Sequence, residues 1–183
     1  MRLKELYKKE ILPKIKEELG IKNVLAVPRL LKVSINVGFG KHTKDKDYVD
    51  SVINNLTAIS GQKPAQTKAK KAISAFKIRQ GMIIGAKVTL RGDRMYDFVE
   101  KLVNIYFPRV RDFRGITDKT IDKTGNMSIG FKEVLAFPEV EEQSLENVHG
   151  LEVNIATSAK DKTEALALFR AMNFPFKKEE NKK

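Results

Sequence analysis

The segment Val37 to Thr43, VGFGKHT, carries the glycines and the lysine of a loop that could cradle phosphate. A nucleotide-hydrolysing loop also needs a glycine five positions before the Gly-Lys pair and a serine or threonine directly after it. Ile35 and His42 occupy those two positions, so the chemistry lacks its parts. The glycines read instead as a tight exit from a strand, where positive φ is tolerated and a nucleic-acid backbone could approach closely.

The other reactive side chains are equally scattered. His42 and His149 are the only histidines and there is no cysteine, so disulfides, thiol nucleophiles and zinc knuckles are excluded. A metal centre or a charge-relay triad would need more partners than two histidines of surface or loop type supply. Glu141 and Glu142 are adjacent carboxylates without an aromatic pocket or a glycine-rich loop beside them, and read as a hydrated or partner-facing surface. No cofactor is expected.

Charge is the stronger signal. The 183 residues hold 35 lysines and arginines against 23 acids, for a net +12, which favours a polyanion as partner. From Ser51 to Gly92 there is no acid, while Lys63, Lys68, Lys70, Lys71, Lys77, Arg79, Lys87 and Arg91 supply eight bases. An ordinary solvated surface mixes both signs, so this run points to RNA or DNA. From Glu133 to Glu152 the pattern inverts: Glu133, Glu139, Glu141, Glu142, Glu146 and Glu152 occur without a lysine or arginine between them.

Within the basic run, KKAISAFKIRQG (Lys70 to Gly81) alternates bases with Ile73, Phe76 and Ile78. On an exposed loop such a mixture pairs with phosphates and stacks on bases. The competing reading makes Phe76 and Ile78 core residues of a short strand.

The elements that would position these residues follow from periodicity. Leu3, Leu6, Tyr7, Ile11, Ile15 and Leu19 predict a first helix, bent by Pro13 and stopped near Gly20. Leu31, Val33, Ile35 and Val37 alternate with Lys32, Ser34 and Asn36 as a strand with one wet face. Asp45 and Asp47 can cap a helix with the stripe Tyr48, Val49, Val52, Ile53, Leu56 and Ile59, ending at Gly61. A second strand alternates Ile84, Ala86, Val88 and Leu90 against Lys87, Thr89 and Arg91. Asp93 then opens a helix bearing Met95, Phe98, Val99, Leu102 and Tyr106.

Strands around Met127 to Leu135 and Leu151 to Thr157 precede a last helix, with Asp161 and Glu164 spaced as a capping box. The expected fold class is α+β: a largely antiparallel sheet with helices packed on one face and a polar, basic opposite face. One domain is expected over residues 1–176, followed by a frayed charged tail at 177–183. No apolar run approaches the roughly 20 residues of a membrane span, so no membrane partner is expected.

SGQKP (Ser60 to Pro64), TKAKKAIS (Thr67 to Ser74), FKIRQG (Phe76 to Gly81), KVTLRGDRMY (Lys87 to Tyr96) and PRVRDFRG (Pro108 to Gly115) carry a resemblance that extends from Arg2 to Phe176. The chain resembles the 5S-rRNA-binding family of bacterial large-subunit ribosomal proteins, usually numbered five. The resemblance implies a cytoplasmic, non-enzymatic ribosomal role: attaching 5S rRNA in the central protuberance among large-subunit rRNA and neighbouring proteins. Recognition positions carried over from the family are Asn36, Gln62, Phe76 and Thr89. Lys32, Lys63, Lys87 and Arg91 join them as bases on or beside the same elements.

The resemblance further implies that the loop from Ala72 to Gly81, with Lys77, Arg79 and Gln80, touches P-site tRNA. A bridge to a basic protein of the small-subunit head is assigned to Glu139, Glu141, Glu142 and Glu146, since opposite charge would favour that encounter. The alternative function is a free-standing RNA-binding or RNA-chaperone module acting on several RNAs. A nucleotide-using enzyme is a third class, lacking its loop and ligands.

Overall fold

The computed structural model describes residues 2–43, 45–140 and 148–177. Five strands form one antiparallel sheet in the order β2-β3-β1-β5-β4, and the fold is α+β as expected. They are β1 (Leu30–Gly38), β2 (Ala65–Lys68), β3 (Ile83–Leu90), β4 (Met127–Phe131) and β5 (Leu151–Thr157). The helices are α1 (Leu3–Leu6), α2 (Leu12–Glu18), α3 (Lys46–Ser60), α4 (Gly92–Lys101), α5 (Phe107–Arg109) and α6 (Lys162–Ala171). The chain divides into two compact units, residues 1–33, 91–129 and 154–183 in one, 34–90 and 130–153 in the other. Three of the four boundaries fall inside β1, β4 and β5, and the fourth at the end of β3.

In the first unit, Leu3, Tyr7, Ile11 and Ile15 are buried at a strict spacing of four. In a regular α-helix that spacing drifts by about 40° per step, because 3.6 residues make a turn. A π-helical turn over Tyr7–Ile11 absorbs the drift, and Pro13, which has no N–H to donate, follows in the first turn of α2. The arrangement recurs after α4: Phe98, Leu102 and Tyr106 are buried four apart, a π turn covers Leu102–Tyr106, and Pro108 follows. The bend expected at Pro13 is therefore a change of helical pattern just upstream of the proline.

α1 packs on α4, where the Leu3 N–H donates to Glu100 Oε2 at 3.0 Å and Lys4 pairs with Asp93. The buried Tyr7 hydroxyl donates to the Pro28 carbonyl at 3.0 Å. Burial pushes that hydroxyl up to about 12, with Tyr96 adding to the rise and Arg29 opposing it. At α6 the capping pair is present in modified form. Glu164 N–H donates to Asp161 Oδ1 at 2.8 Å, whereas the Glu164 carboxylate accepts from Lys160 N–H at 2.9 Å.

In the second unit, Asp45 caps α3 by accepting from Tyr48 N–H at 3.2 Å, and Gly61 ends it at φ +65. Val52, Leu56 and Ile59 are buried beneath it and α3 packs on β3; Tyr48, Val49 and Ile53 of the expected stripe are half-buried. Each fully buried aliphatic side chain of this kind stabilises by about 1.5–3 kcal/mol relative to exposure.

Four local expectations need correction. β2, four residues long, falls below the length at which alternation registers, and pairs antiparallel with β3. Leu31, expected on the buried side of β1, is exposed, because the alternation begins only at Val33. β4 stops at Phe131, and Val134–Ala136 forms a 3-10 turn instead of continuing the strand. Gly38 and Gly40 do not use positive φ: the exit from β1 is closed by His42 N–H donating to Phe39 O at 2.9 Å, with Phe39 itself buried.

Of the tail at 177–183, only Lys177 lies among the described residues. Its N–H donates to Ile116 O at 2.9 Å.

Candidate nucleic-acid interface

The second unit holds most of the residues singled out for recognition. Asn36 is half-buried on β1, between the buried Ile35 and Val37. On β3, Lys87 is exposed and Thr89 half-buried, alternating with buried Ala86, Val88 and Leu90. This is the period-two pattern of a strand with one face in the core. Gln62 is half-buried and Lys63 exposed in the turn that follows α3. The pairing of Ala65 with Lys87 brings this turn beside β3, because Ala65 opens β2 two residues after Lys63.

β2 can lie this close to its neighbours because residue 85 is glycine. A Cβ built there would sit 2.8 Å from both Thr67 Oγ1 and the Val37 carbonyl, so the side-chain-free position belongs to the packing of β1, β2 and β3.

Beyond β2 the chain makes a compact hairpin-like loop. Ala69 N–H donates to Met82 O at 2.8 Å and Gly81 N–H to Ala69 O at 3.0 Å, closing its base. Ile73 and Ile78 exchange backbone bonds of 2.9 and 3.2 Å, closing a four-residue tip. Ser74–Phe76 is a 3-10 turn, and Lys77 returns the chain in the left-handed region at φ +53. Arg79 N–H contacts Met82 Sδ at 3.1 Å.

The tip presents what a buried strand would hide. Phe76 is 67% exposed and Ile73 46%, which removes the core reading for Phe76; Ile78 is half-buried. Lys70, Lys71, Lys77, Arg79 and Gln80 are exposed around it. The loop thus carries an unshielded aromatic ring among cations, on a backbone held by six internal hydrogen bonds. Periodicity could not reveal the left-handed turn at Lys77, since lysine has no preference for that conformation.

Lys32 and Arg91 lie in the first unit, both exposed, Arg91 as the residue before α4. Of the proposed bridge residues, Glu139 is half-buried, while Glu141, Glu142 and Glu146 lie outside the described residues.

Both histidines lie outside the helices and strands, as expected, but they differ in burial. His42 is exposed and stacks on Tyr48 with ring centroids 4.5 Å apart, but His149, though in a loop, is only 5% exposed. Asn55 Nδ2 lies 3.3 Å from its Nε2, and the Gly150 carbonyl lies 3.3 Å from its Nδ1. Burial lowers its pKa below the ordinary 6.5, partly opposed by the Gly150 contact. Among the described residues no His, Cys, Asp and Glu group is arranged to hold a metal ion, and no helix is long and apolar enough to cross a membrane.

A cationic, aromatic-tipped loop on an antiparallel α+β scaffold has the make-up of a binding protein that recognises a polyanion by shape and charge. Residues 23–79 match the family described as ribosomal protein L5, and residues 83–176 match the C-terminus of that same ribosomal family. The large ribosomal subunit protein uL5 of Francisella tularensis subsp. novicida (strain U112) is 49% identical over 176 residues, covering 96% of this chain and 98% of that protein. The protein of the same name from Cupriavidus taiwanensis is 48% identical over 176 residues, with the same coverage. The chain belongs to the ribosomal protein L5 family, and its role is structural and non-enzymatic.

Proposed function

We propose that the chain is a structural constituent of the large ribosomal subunit in the cytoplasm, where it binds 5S rRNA and helps attach it within the central protuberance. The half-buried polar positions Asn36, Gln62 and Thr89 hydrogen-bond RNA, with Lys32, Lys63, Lys87 and Arg91 supplying phosphate contacts. Phe76 supplies a stacking surface. The neighbouring Lys77, Arg79 and Gln80 reach P-site tRNA, and the acidic stretch containing Glu139, Glu141, Glu142 and Glu146 meets a basic protein of the small-subunit head.

The observation that carries this reading is the exposure of Phe76, 67%, at the tip of a closed loop surrounded by exposed bases. Leaving a phenyl ring in water forfeits its burial energy, and a base stacked on such a ring contributes about 1–3 kcal/mol. The wet positions of β1 and β3 supply directional groups on rigid strands, which suits shape-specific recognition more than loose charge attraction.

Titration of labelled 5S rRNA at increasing salt tests the proposal. Each phosphate neutralised contributes roughly 0.7 to 0.9 units to the logarithmic salt slope. A steep slope with specific retention of 5S rRNA over an unrelated RNA of equal length is expected. Affinity that barely changes with salt would overturn the electrostatic account.

A further inference from the structure

The chain has five methionines and no cysteine, so thioethers are the side chains most open to oxidation by peroxide. Met1 lies outside the described residues, and burial separates the other four sharply. Met95 and Met172 are 2% exposed and Met127 is 0% exposed, each sealed in the core. Met82, at the base of the aromatic-tipped loop, is only half-buried.

Met82 also closes that loop through three of its own atoms. Its carbonyl accepts from Ala69 N–H at 2.8 Å and its N–H donates to Arg79 O at 3.2 Å. Its Sδ accepts from Arg79 N–H at 3.1 Å. Met82 and Arg79 therefore exchange two hydrogen bonds across a turn in which Gly81 stands at φ +85. One bond of that pair depends on the oxidation state of the sulfur, because a thioether accepts only weakly and through its lone pairs.

We infer that Met82 is an oxidation site, and that its conversion to the sulfoxide unclasps Arg79, loosens the loop and weakens its hold on RNA. Hydrogen peroxide is the oxidant. One peroxide oxygen bonds to Sδ as the O–O bond breaks and the sulfur supplies the electron pair. The proton of the transferred oxygen passes to the departing one, which leaves as water.

The clasp is lost whichever lone pair reacts. An oxygen between Sδ and Arg79 N has no room at 3.1 Å, and an oxygen on the free side leaves the sulfur electron-poor, so that it no longer accepts from the amide. A loosened tip must then be ordered again on binding, at a cost in affinity. The effect on RNA rests on the reading of this loop as an RNA contact; the oxidation and the unclasping do not.

The test treats the full chain with dilute hydrogen peroxide and locates the added oxygen by peptide mass spectrometry. Met82 is expected to gain oxygen ahead of Met95, Met127 and Met172. Amide exchange at Arg79 should then quicken by about three- to tenfold, the worth of one hydrogen bond. Labelled 5S rRNA should bind about three- to tenfold more weakly, as the ordering of one or two side chains would cost. Methionine sulfoxide reductases of both epimer specificities, with a dithiol that removes the oxygen as water and becomes a disulfide, should restore both values. In Met82→Leu, which has no sulfur to oxidise, peroxide should leave RNA affinity unchanged.

Oxidation of Met82 no faster than that of the buried methionines would overturn the inference. So would unchanged exchange at Arg79 in the sulfoxide form, or a peroxide-induced loss of RNA binding by Met82→Leu equal to that of the native chain. Unchanged 5S rRNA affinity of an oxidised chain that binds natively also overturns it. If the untreated chain does not bind 5S rRNA at all, the proposed function falls, while selective oxidation with faster exchange at Arg79 still upholds Met82 as the oxidation-sensitive clasp.

Discussion

Asn55 on α3 and His149 in the loop before β5 face each other in the core of the second unit, with Asn55 Nδ2 3.3 Å from His149 Nε2. With the amide donating, Nε2 accepts, which leaves the ring proton on Nδ1, facing the Gly150 carbonyl. The neutral ring is thus satisfied at both nitrogens. A second proton would set two donors against each other inside the core.

This relationship predicts a pH dependence. Burial lowers the folded-state pKa of His149 below 6.5, so the unfolded chain binds the proton more readily. The contribution to stability is complete above the ordinary value and is lost as pH falls from there through the lowered folded value. Urea midpoints should decline between neutrality and about pH 5, before most carboxylates titrate. His149→Gln should flatten the profile in that window, and an unchanged slope would refute the assignment.

Asn36→Ala and Thr89→Ala should each weaken 5S rRNA binding more than Lys71→Ala. Polar groups on a strand are held in direction and have no substitute, whereas one exposed lysine among many is replaced by counterions or neighbours. Equal losses in a binding titration would refute the ranking.

The loop separates into ring, charge and shape. Phe76→Ala should cost RNA affinity by about 1–3 kcal/mol if the ring stacks on a base, while Phe76→Tyr preserves it. Lys77→Gly relieves the left-handed backbone at φ +53 and removes one charge, so folding is retained or slightly improved while the salt slope falls by roughly one unit. Lys77→Val, by contrast, should disorder the tip, visible as faster amide exchange at Ile73 and Ile78.

Gly85→Ala should destabilise the chain by about 1–3 kcal/mol, as overpacked sites do, because its Cβ would press on Thr67 Oγ1 and the Val37 carbonyl at 2.8 Å. Equilibrium unfolding in urea measures the loss. Pairing Gly85→Ala with Thr67→Ala, which removes the hydroxyl, should not recover it fully, since the Val37 carbonyl remains in the way.

We further propose that residues 1–176 unfold as one domain. Three of the four boundaries between the two compact units fall inside β1, β4 and β5, where a strand would have to break mid-ladder. One transition, coincident by near- and far-ultraviolet circular dichroism, is expected. Two separated transitions would contradict it.

Much of the architecture was legible because burial imposes a period. The stripe of α4 and its continuation, Met95, Phe98, Val99, Leu102 and Tyr106, is buried at every position named from spacing. The caps at Asp45 and Gly61 follow from side-chain chemistry that acts within a few residues. The basic run and the motifs that identify the family are local too, and needed no tertiary contact to be read.

Only the tertiary structure decided the rest, because it depends on residues distant in sequence. The edge strand β2 exists by pairing with β3, not by its own propensity. His149 became a core residue through Asn55, 94 positions earlier. Phe76 could be core or surface by pattern alone, and was settled by whether anything packs against it. The backbone from Arg109 to Arg114 is held by the stacking of Phe113 on Phe107 and by the 175–177 segment, contacts that no local pattern encodes. Sequence determined which residues could bind, through type and local period; folding determined which are presented rigidly to a partner, through contacts that local period does not encode.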